Sequence, residues 1–384
     1  MIIINDFFVR YKEAVSNQME LISKRNNGKI ISATRFMGQK PLQEQDKQDN
    51  IYVYRPFIYF LKAIREVKKN SKDTVHVFEE ESSLWKRILF NSSDNPLFVS
   101  MYRRPNKEYA EHLKKYKNLK RVFVELEKHK EILMQYGIQE NKIMVTPTPS
   151  KIPRKRSNKE FNPSNVNILF ASWNNKEGDA IRERGLEYLL QLLKENTNFS
   201  LTIPLRDNDT QAFEQMAKKL GVWDRVSLLD IHNNMDTLIN LFDNSDFVAF
   251  VPQKRIVKDV PNSLIDGLVR GKPVIVSDVI DFSETVSNNN IGYVIPKGKK
   301  AQKMDISIDE YAEMSKRAYE YSRVHLQENY VKIIEKGYKI ENKDNSKFKR
   351  KIKVSDEIIQ NQYIENREED KSENSHNKSL GNIR

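Results

Sequence analysis

The chain has 384 residues, with 65 Lys+Arg against 53 Asp+Glu for a formal net charge of +12, and 38% of its residues are hydrophobic. That length suits two ordinary domains with a core each. The absence of cysteine excludes disulfide scaffolds, cysteine nucleophiles, iron–sulfur clusters and thiolate zinc sites.

In chain order, short β-rich apolar runs alternate with longer helical stretches. The first set reads Ile2–Ile4, Lys29–Ser32, Ile51–Tyr54, Val75–Phe78, Leu97–Ser100, Val122–Val124 and Ile143–Val145. The second reads Asn167–Ala171, Leu201–Leu205, Val226–Leu228, Phe247–Val251, Val274–Val276 and Tyr293–Ile295. Runs that are apolar at nearly every position suit strands buried on both faces of a parallel sheet. Between them the spacing is helical, as in Leu186, Leu189, Leu190 and Leu193. This alternation predicts α/β architecture.

Between the two sets lie prolines 147, 149, 153 and 163 with the basic cluster Lys151, Arg154, Lys155 and Arg156. Such a segment suits neither helix nor central strand and predicts an interdomain linker with few contacts. The expected division is a first domain at 1–146, a linker at 147–164, a second domain at 165–325, a crossover helix at 326–340 and a polar tail at 341–384. The tail is rich in Asn, Lys, Glu and Ser and is expected to be disordered.

The most informative stretch runs from Lys258 to Asp278, as Lys-Asp-Val-Pro-Asn-Ser-Leu-Ile-Asp-Gly-Leu-Val-Arg-Gly-Lys-Pro-Val-Ile-Val-Ser-Asp. It reads as a loop, a helix from about Asn262, and a Gly-Lys-Pro turn into a buried strand. A helix start offers unpaired N–H groups and the positive end of the helix dipole, which suits a diphosphate. Asn262 or Ser263 is expected to cap the helix. Asp266, one turn in, is a carboxylate able to accept hydrogen bonds from sugar or ribose hydroxyls, or one that merely suits the dipole.

This stretch resembles the nucleotide-sugar signature of family-4 glycosyltransferases, with Asp266 at its second acidic position and Gly271, Pro273, Ser277 and Asp278 matching. Further segments resemble the same family in order: Tyr136-Gly137-Ile138 with Lys142, Asn167–Trp173, Arg184-Gly185, and Leu241-Phe242 through Pro252. The resemblance implies the GT-B fold, two Rossmann-like domains facing across a cleft, with a C-terminal helix returning to the first. It implies a nucleotide-sugar donor, of the UDP or GDP type, and no other cofactor or metal. Arg184 and Lys176 would neutralise the leaving diphosphate and Asp266 would hold hydroxyls. Lys258, Asp259, the Val260–Ser263 loop (Val260, Pro261, Asn262, Ser263) and Trp173 would line the donor site.

The chain also departs from the pattern. Lys258 stands where the family's first carboxylate contacts the donor sugar, and Trp173 stands where it has an Arg. Trp173 reads either as a stacking residue or as a strand-end core residue. After the fifth run come Tyr102, Arg103 and Arg104, which could face the cleft and bind an anionic acceptor or a phosphate. His76 reads as a core histidine. Asp207-Asn-Asp209 imitates a metal-binding Asp-x-Asp but reads better as a helix start with Asp209 at the cap, and Glu79-Glu80-Glu81 likewise reads as a helix opening.

The expected activity is retaining, metal-independent transfer of a sugar to a cell-envelope glycan, polymer or glycolipid. The alternative is an inactive GT-B-fold binding or regulatory subunit, supported by Lys258 and Trp173. No recognition motif accompanies the positive charge, so nucleic acid is not expected as a partner. The first 150 residues carry 27 basic and 18 acidic side chains, which suits peripheral contact with an anionic membrane surface. No transmembrane run or signal peptide is read, so the expected place is the cytoplasm, peripherally at the inner face of the membrane.

Overall fold

The computed structural model describes residues 1–6, 14–33, 50–69, 72–79, 84–172, 179–205, 210–231, 234–255 and 258–339. Met1–Tyr338 cluster as one compact unit. The predicted polar tail lies outside the described residues.

Every predicted strand is present. The first sheet holds seven strands: β1 (Ile2–Asn5), β2 (Lys29–Ala33), β3 (Ile51–Tyr54), β4 (Val75–Glu79), β5 (Leu97–Met101), β6 (Leu119–Val124) and β7 (Ile143–Val145). They run in the order β3-β2-β1-β4-β5-β6-β7, all parallel. Successive side chains of a strand point to opposite faces. Ile2 and Ile4 therefore join one core cluster with Tyr59, Leu89 and Leu113, while Ile3 joins a second with Met19, Tyr330 and Ile334. The helices behind these clusters are α1 (Ala14–Asn26), α2 (Pro56–Lys69), α3 (Leu84–Asn91), α4 (Lys107–Lys114) and α5 (Glu127–Gln135).

The second sheet holds six parallel strands: β8 (Val166–Leu169), β9 (Phe199–Leu205), β10 (Val226–Asp230), β11 (Phe247–Phe250), β12 (Val274–Ser277) and β13 (Gly292–Ile295). Their order is β10-β9-β8-β11-β12-β13. The helices here are α6 (Leu186–Glu195), α7 (Gln211–Lys219), α8 (Met235–Asn244), α9 (Asn262–Leu268), α10 (Phe282–Asn289) and α11 (Ile308–Tyr321). A π-helical turn at Asp179–Glu183 leads into α6.

From α11, whose Tyr311, Met314 and Ala318 belong to the second core, the chain crosses back as α12 (Gln327–Tyr338). Tyr330 and Ile334 are buried against the first sheet, at about 1.5–3 kcal/mol for each large apolar side chain removed from water. Tyr338 Oη lies 2.6 Å from Nδ1 of His76, whose Nε2 lies 2.8 Å from Ser100 Oγ. His76 is thus a satisfied core histidine, its pKa lowered by burial to about 3. Gly337 lets the helix approach, because a Cβ there would sit 2.4 Å from the Phe123 ring.

The segment between the sheets is not the contact-poor connector expected. The Lys155 and Ser157 N–H groups donate to the Val269 and Arg270 carbonyls. Arg154 stacks 3.7 Å from the Tyr319 ring centroid and donates to the Tyr319 carbonyl and to Ser322 Oγ. The prolines deny it regular structure, so its polar groups are satisfied by helices α9 and α11 instead.

Candidate active site

In each sheet the strand order reverses beside its first strand, between β1 and β4 and between β8 and β11. Ligands of open parallel sheets bind outside the carboxyl ends of the strands at such a reversal. At the second reversal, Arg184 Nη1 donates to the carbonyl of Ser172, which follows β8, at 2.8 Å. Ser172 Oγ lies 2.6 Å from Ser263 Oγ at the start of α9. Arg184, Ser172 and Ser263 therefore form one group. Gly185 makes this possible: its φ is +88°, and a Cβ there would lie 2.0 Å from the Val251 carbonyl oxygen.

Helix α9 begins at Asn262, as expected, but its cap differs. Pro261 is the N-cap and no side chain caps the helix. Asn262 Oδ1 instead accepts from Lys258 Nζ at 2.7 Å, and Ser263 is engaged by Ser172. Both side chains are drawn to neighbours outside the helix, so neither folds back on its first N–H groups. Val260 is a core residue.

Asp266 is buried and faces the interlobe segment. Its Oδ1 accepts from Ser150 Oγ at 2.8 Å and from the Lys151 N–H at 3.3 Å. Burial pushes its pKa up, against the opposing pull of Lys151 and Ser150. Beside these partners a cavity of about 210 Å³ is bounded by Gln18, Ser150, Lys151, Met235, Asn262 and Gln327.

Charged side chains meet across the cleft. Lys258 Nζ lies 3.4 Å from Oε1 of Glu125, which directly follows β6. That oxygen also accepts from Thr148 Oγ1, while Oε2 is buried and makes no hydrogen bond. Arg104 Nη1 pairs with Asp281 at 2.8 Å, and Lys128 with Glu284 at 3.0 Å. His129 Nε2 lies 3.3 Å from Asp259 Oδ2 and 3.4 Å from Asp281 Oδ2, within ion-pair distance but not aligned as hydrogen bonds. Burial alone would lower the His129 pKa, but Asp259, Asp281 and Glu125 outweigh it and the net shift is upward. Asp281 goes the other way: burial opposes ionisation, yet His129, Arg255 and Arg104 hold its carboxyl far below the usual range.

His129, Asp259 and Asp281 also place three ligand atoms within 4.8 Å of one another, the one such group among the described residues. No sequence spacing announced it. Arg104, Lys128 and Arg255 pair with these carboxylates.

Other predicted residues fall elsewhere. Trp173, Lys176, Asp207, Asp209, Glu80 and Glu81 lie outside the described residues. Tyr102 does not line the cleft: it is buried in the cluster with Tyr330 and Ile334. Strand alternation explains the correction, because Phe98 faces that cluster and Tyr102 lies an even number of residues on. Arg104 does reach the cleft, through Asp281, and Arg103 is half-buried beside it. Glu125, His129, Ser172 and Asp281 were missed, because the partners that define them come from distant parts of the chain.

Residues 178–325 match the family described as glycosyl transferases group 1. No curated protein matches the chain. Among solved structures, Anabaena Alr3699/HepE in complex with UDP-glucose aligns with TM-score 0.65 at 14% identity, covering 88% of this chain and 100% of that one. A glycosyltransferase from Rickettsia africae ESF-5 aligns with TM-score 0.61 at 17% identity, covering 88% and 96%. The lipopolysaccharide outer core galactosyltransferase WaaB, in its apo form, aligns with TM-score 0.61 at 14% identity, covering 88% and 98%. Two parallel sheets with matching reversals, a helix returning to the first and a group 1 match over the second lead to one conclusion: the chain has the GT-B fold, and residues 178–325 of its second lobe match glycosyl transferases group 1.

Proposed function

We propose that the protein is a retaining, metal-independent glycosyltransferase that moves a sugar from a nucleotide-sugar donor to a cell-envelope glycan, polymer or glycolipid. The observation that carries this reading is the Arg184–Ser172–Ser263 group at the strand-order reversal of the second sheet. It sets a guanidinium beside the uncapped start of α9, where a leaving diphosphate develops charge. The UDP-glucose bound to HepE and the lipopolysaccharide substrate class of WaaB support the donor and envelope assignments.

In this reading residues 165–325 hold the donor and residues 1–146 face the acceptor, with 147–164 linking them and 326–340 returning. Lys176 assists Arg184 on the diphosphate. Asp266 exchanges its Ser150 and Lys151 bonds for ribose or sugar hydroxyls. The Val260–Ser263 backbone, Lys258, Asp259 and Trp173 complete the donor side, and Arg103 and Arg104 receive an anionic acceptor. Closure of the lobes keeps water from the donor sugar. The acceptor side works peripherally at an anionic membrane surface from the cytoplasm.

The second reading is an inactive GT-B subunit. The observation in its favour is that Lys258 replaces a carboxylate and is spent on Glu125 and Asn262. Calorimetric titration with UDP, GDP, ADP and CMP, with and without magnesium, on the wild type and Asp266→Ala separates them. Metal-free saturable binding of one nucleotide, weakened by the substitution, supports the transferase. Binding only with magnesium overturns metal independence, and no binding at all favours the inactive subunit.

A further inference from the structure

We propose that the outward face of α2 docks the protein onto an anionic lipid bilayer. This gives a surface to the membrane contact in the functional reading above and rests on it. The inward face of α2 is ordinary: Tyr59, Ala63 and Val67 are buried against the first sheet. The outward face is not. Phe57 is 74% exposed, Leu61 51% and Ile58 44%, three large apolar side chains on one helix of the first lobe.

Arg65, Lys68 and Lys69 are exposed on that same face, and Arg55 is exposed just before the helix. At 3.6 residues per turn, Phe57, Ile58, Leu61, Arg65, Lys68 and Lys69 fall within an arc of about 120°. Lys62, half-buried over the Tyr54 ring, borders it. The single acidic residue from Arg55 to Lys69 is Glu66, which is half-buried and paired to Lys29 at 3.1 Å. The outward face therefore carries apolar side chains and positive charge with no negative charge to offset it. On α3, which packs on the same side of the sheet, Ile88 is 62% exposed.

This chemistry selects a bilayer rather than a protein. The cores of protein interfaces are depleted in Lys, so three exposed apolar residues ringed by Lys and Arg make a poor one. A lipid interface suits both parts, the apolar side chains at the acyl boundary and the cations at headgroup phosphates. The placement is also useful. All seven strands are parallel, and α2 starts from the carboxyl end of β3. Phe57, Ile58 and Leu61 thus lie toward the cleft end of the lobe, where an acceptor anchored in lipid would arrive.

The test is cosedimentation of the full chain with phosphatidylglycerol/phosphatidylcholine vesicles and with pure phosphatidylcholine vesicles, without nucleotide or acceptor. Vesicle binding is thereby read independently of whether the protein transfers sugar. The expected result is binding to the anionic vesicles alone, weakened by salt. The double variant Phe57→Ser/Leu61→Ser and the triple variant Arg65→Glu/Lys68→Glu/Lys69→Glu each lower the partition coefficient by about tenfold or more. The control Leu229→Ser, at an exposed apolar residue of β10, leaves it unchanged. Circular dichroism and thermal midpoints verify that the variants fold. No binding, equal binding to both vesicles, or α2 variants that bind like wild type each overturn the proposal. So does a protein oligomer that dissolves with the Phe57→Ser/Leu61→Ser variant while vesicle binding persists.

Discussion

Lys258 in the second lobe and Glu125 in the first meet across the cleft with 3.4 Å between Nζ and Oε1. The cation of the second lobe is met by a carboxylate of the first. The pair is almost out of water, with side chains 18% and 6% exposed. Removing one member strands the other, which for buried pairs costs about 3 kcal/mol or more. Lys258→Met is therefore expected to lower the unfolding free energy from urea titration by that amount, and Lys258→Glu by more. The exchanged double variant Glu125→Lys/Lys258→Glu should recover most of the loss. A double variant no better than the sum of the singles would show that the contact does not couple the lobes.

His129 makes the joint between the lobes sensitive to pH. Its folded pKa is raised above 6.5, so its contribution is complete below that value and is lost as pH rises through the raised folded value. The stability difference between wild type and His129→Gln should shrink as pH rises from 6.5 into the alkaline range. Buried His76, His112 and His325, held neutral with pKa values of about 3, 4 and 4, act in the opposite sense and weaken the fold in acid in both proteins. Parallel wild-type and variant curves would remove His129 from the joint.

Asp266→Asn separates folding from ligand binding. Burial raises the Asp266 pKa, so its charged form costs stability above the ordinary carboxylate range. The amide still accepts from Ser150, and the thermal midpoint at neutral pH should stay level or rise. Nucleotide affinity should fall about tenfold if the carboxylate is what holds the hydroxyls. A midpoint that drops together with unchanged affinity would make Asp266 a structural residue.

Gly185→Ala tests the backbone approach beneath Arg184. The substitution places a methyl group against the Val251 carbonyl oxygen at a φ of +88°. A loss of at least about 2 kcal/mol in unfolding free energy is expected from strain and overlap together. Nucleotide binding should weaken with it, because Arg184 is carried on the same turn. Wild-type stability in this variant would mean that the turn relaxes freely.

Arg270 ties α9 to its surroundings. It is buried and bidentate to Asp243, at 2.7 and 2.6 Å, and also donates to the Pro153 carbonyl. Arg270→Met should cost about 2–4 kcal/mol and lower the thermal midpoint, since both the carboxylate and the interlobe segment lose their donor. A change of less than about 0.5 kcal/mol, the size of an ordinary surface substitution, would refute that role.

By itself the sequence determined the strands and a resemblance to one family. The central strands were readable because parallel strands there are buried on both faces, so runs such as Ile2–Ile4 and Val274–Val276 are apolar without alternation. Asn262, Ser263 and Asp266 stand in a local pattern whose spacing follows one loop and one helix, and Arg184 stands in a second local pattern just before α6. Tertiary structure decided what those residues touch. Asp266 takes its partners from Ser150 and Lys151, over a hundred residues earlier, and His129 takes its partners from Asp259 and Asp281. Tyr102 was turned into the core by strand alternation, and the proline-rich segment was fastened by α9 and α11 rather than left in solvent. Hydrophobic periodicity records which face of an element is buried. It carries no record of which charged side chain from another lobe will stand opposite, because that depends on how two sheets and their loops meet.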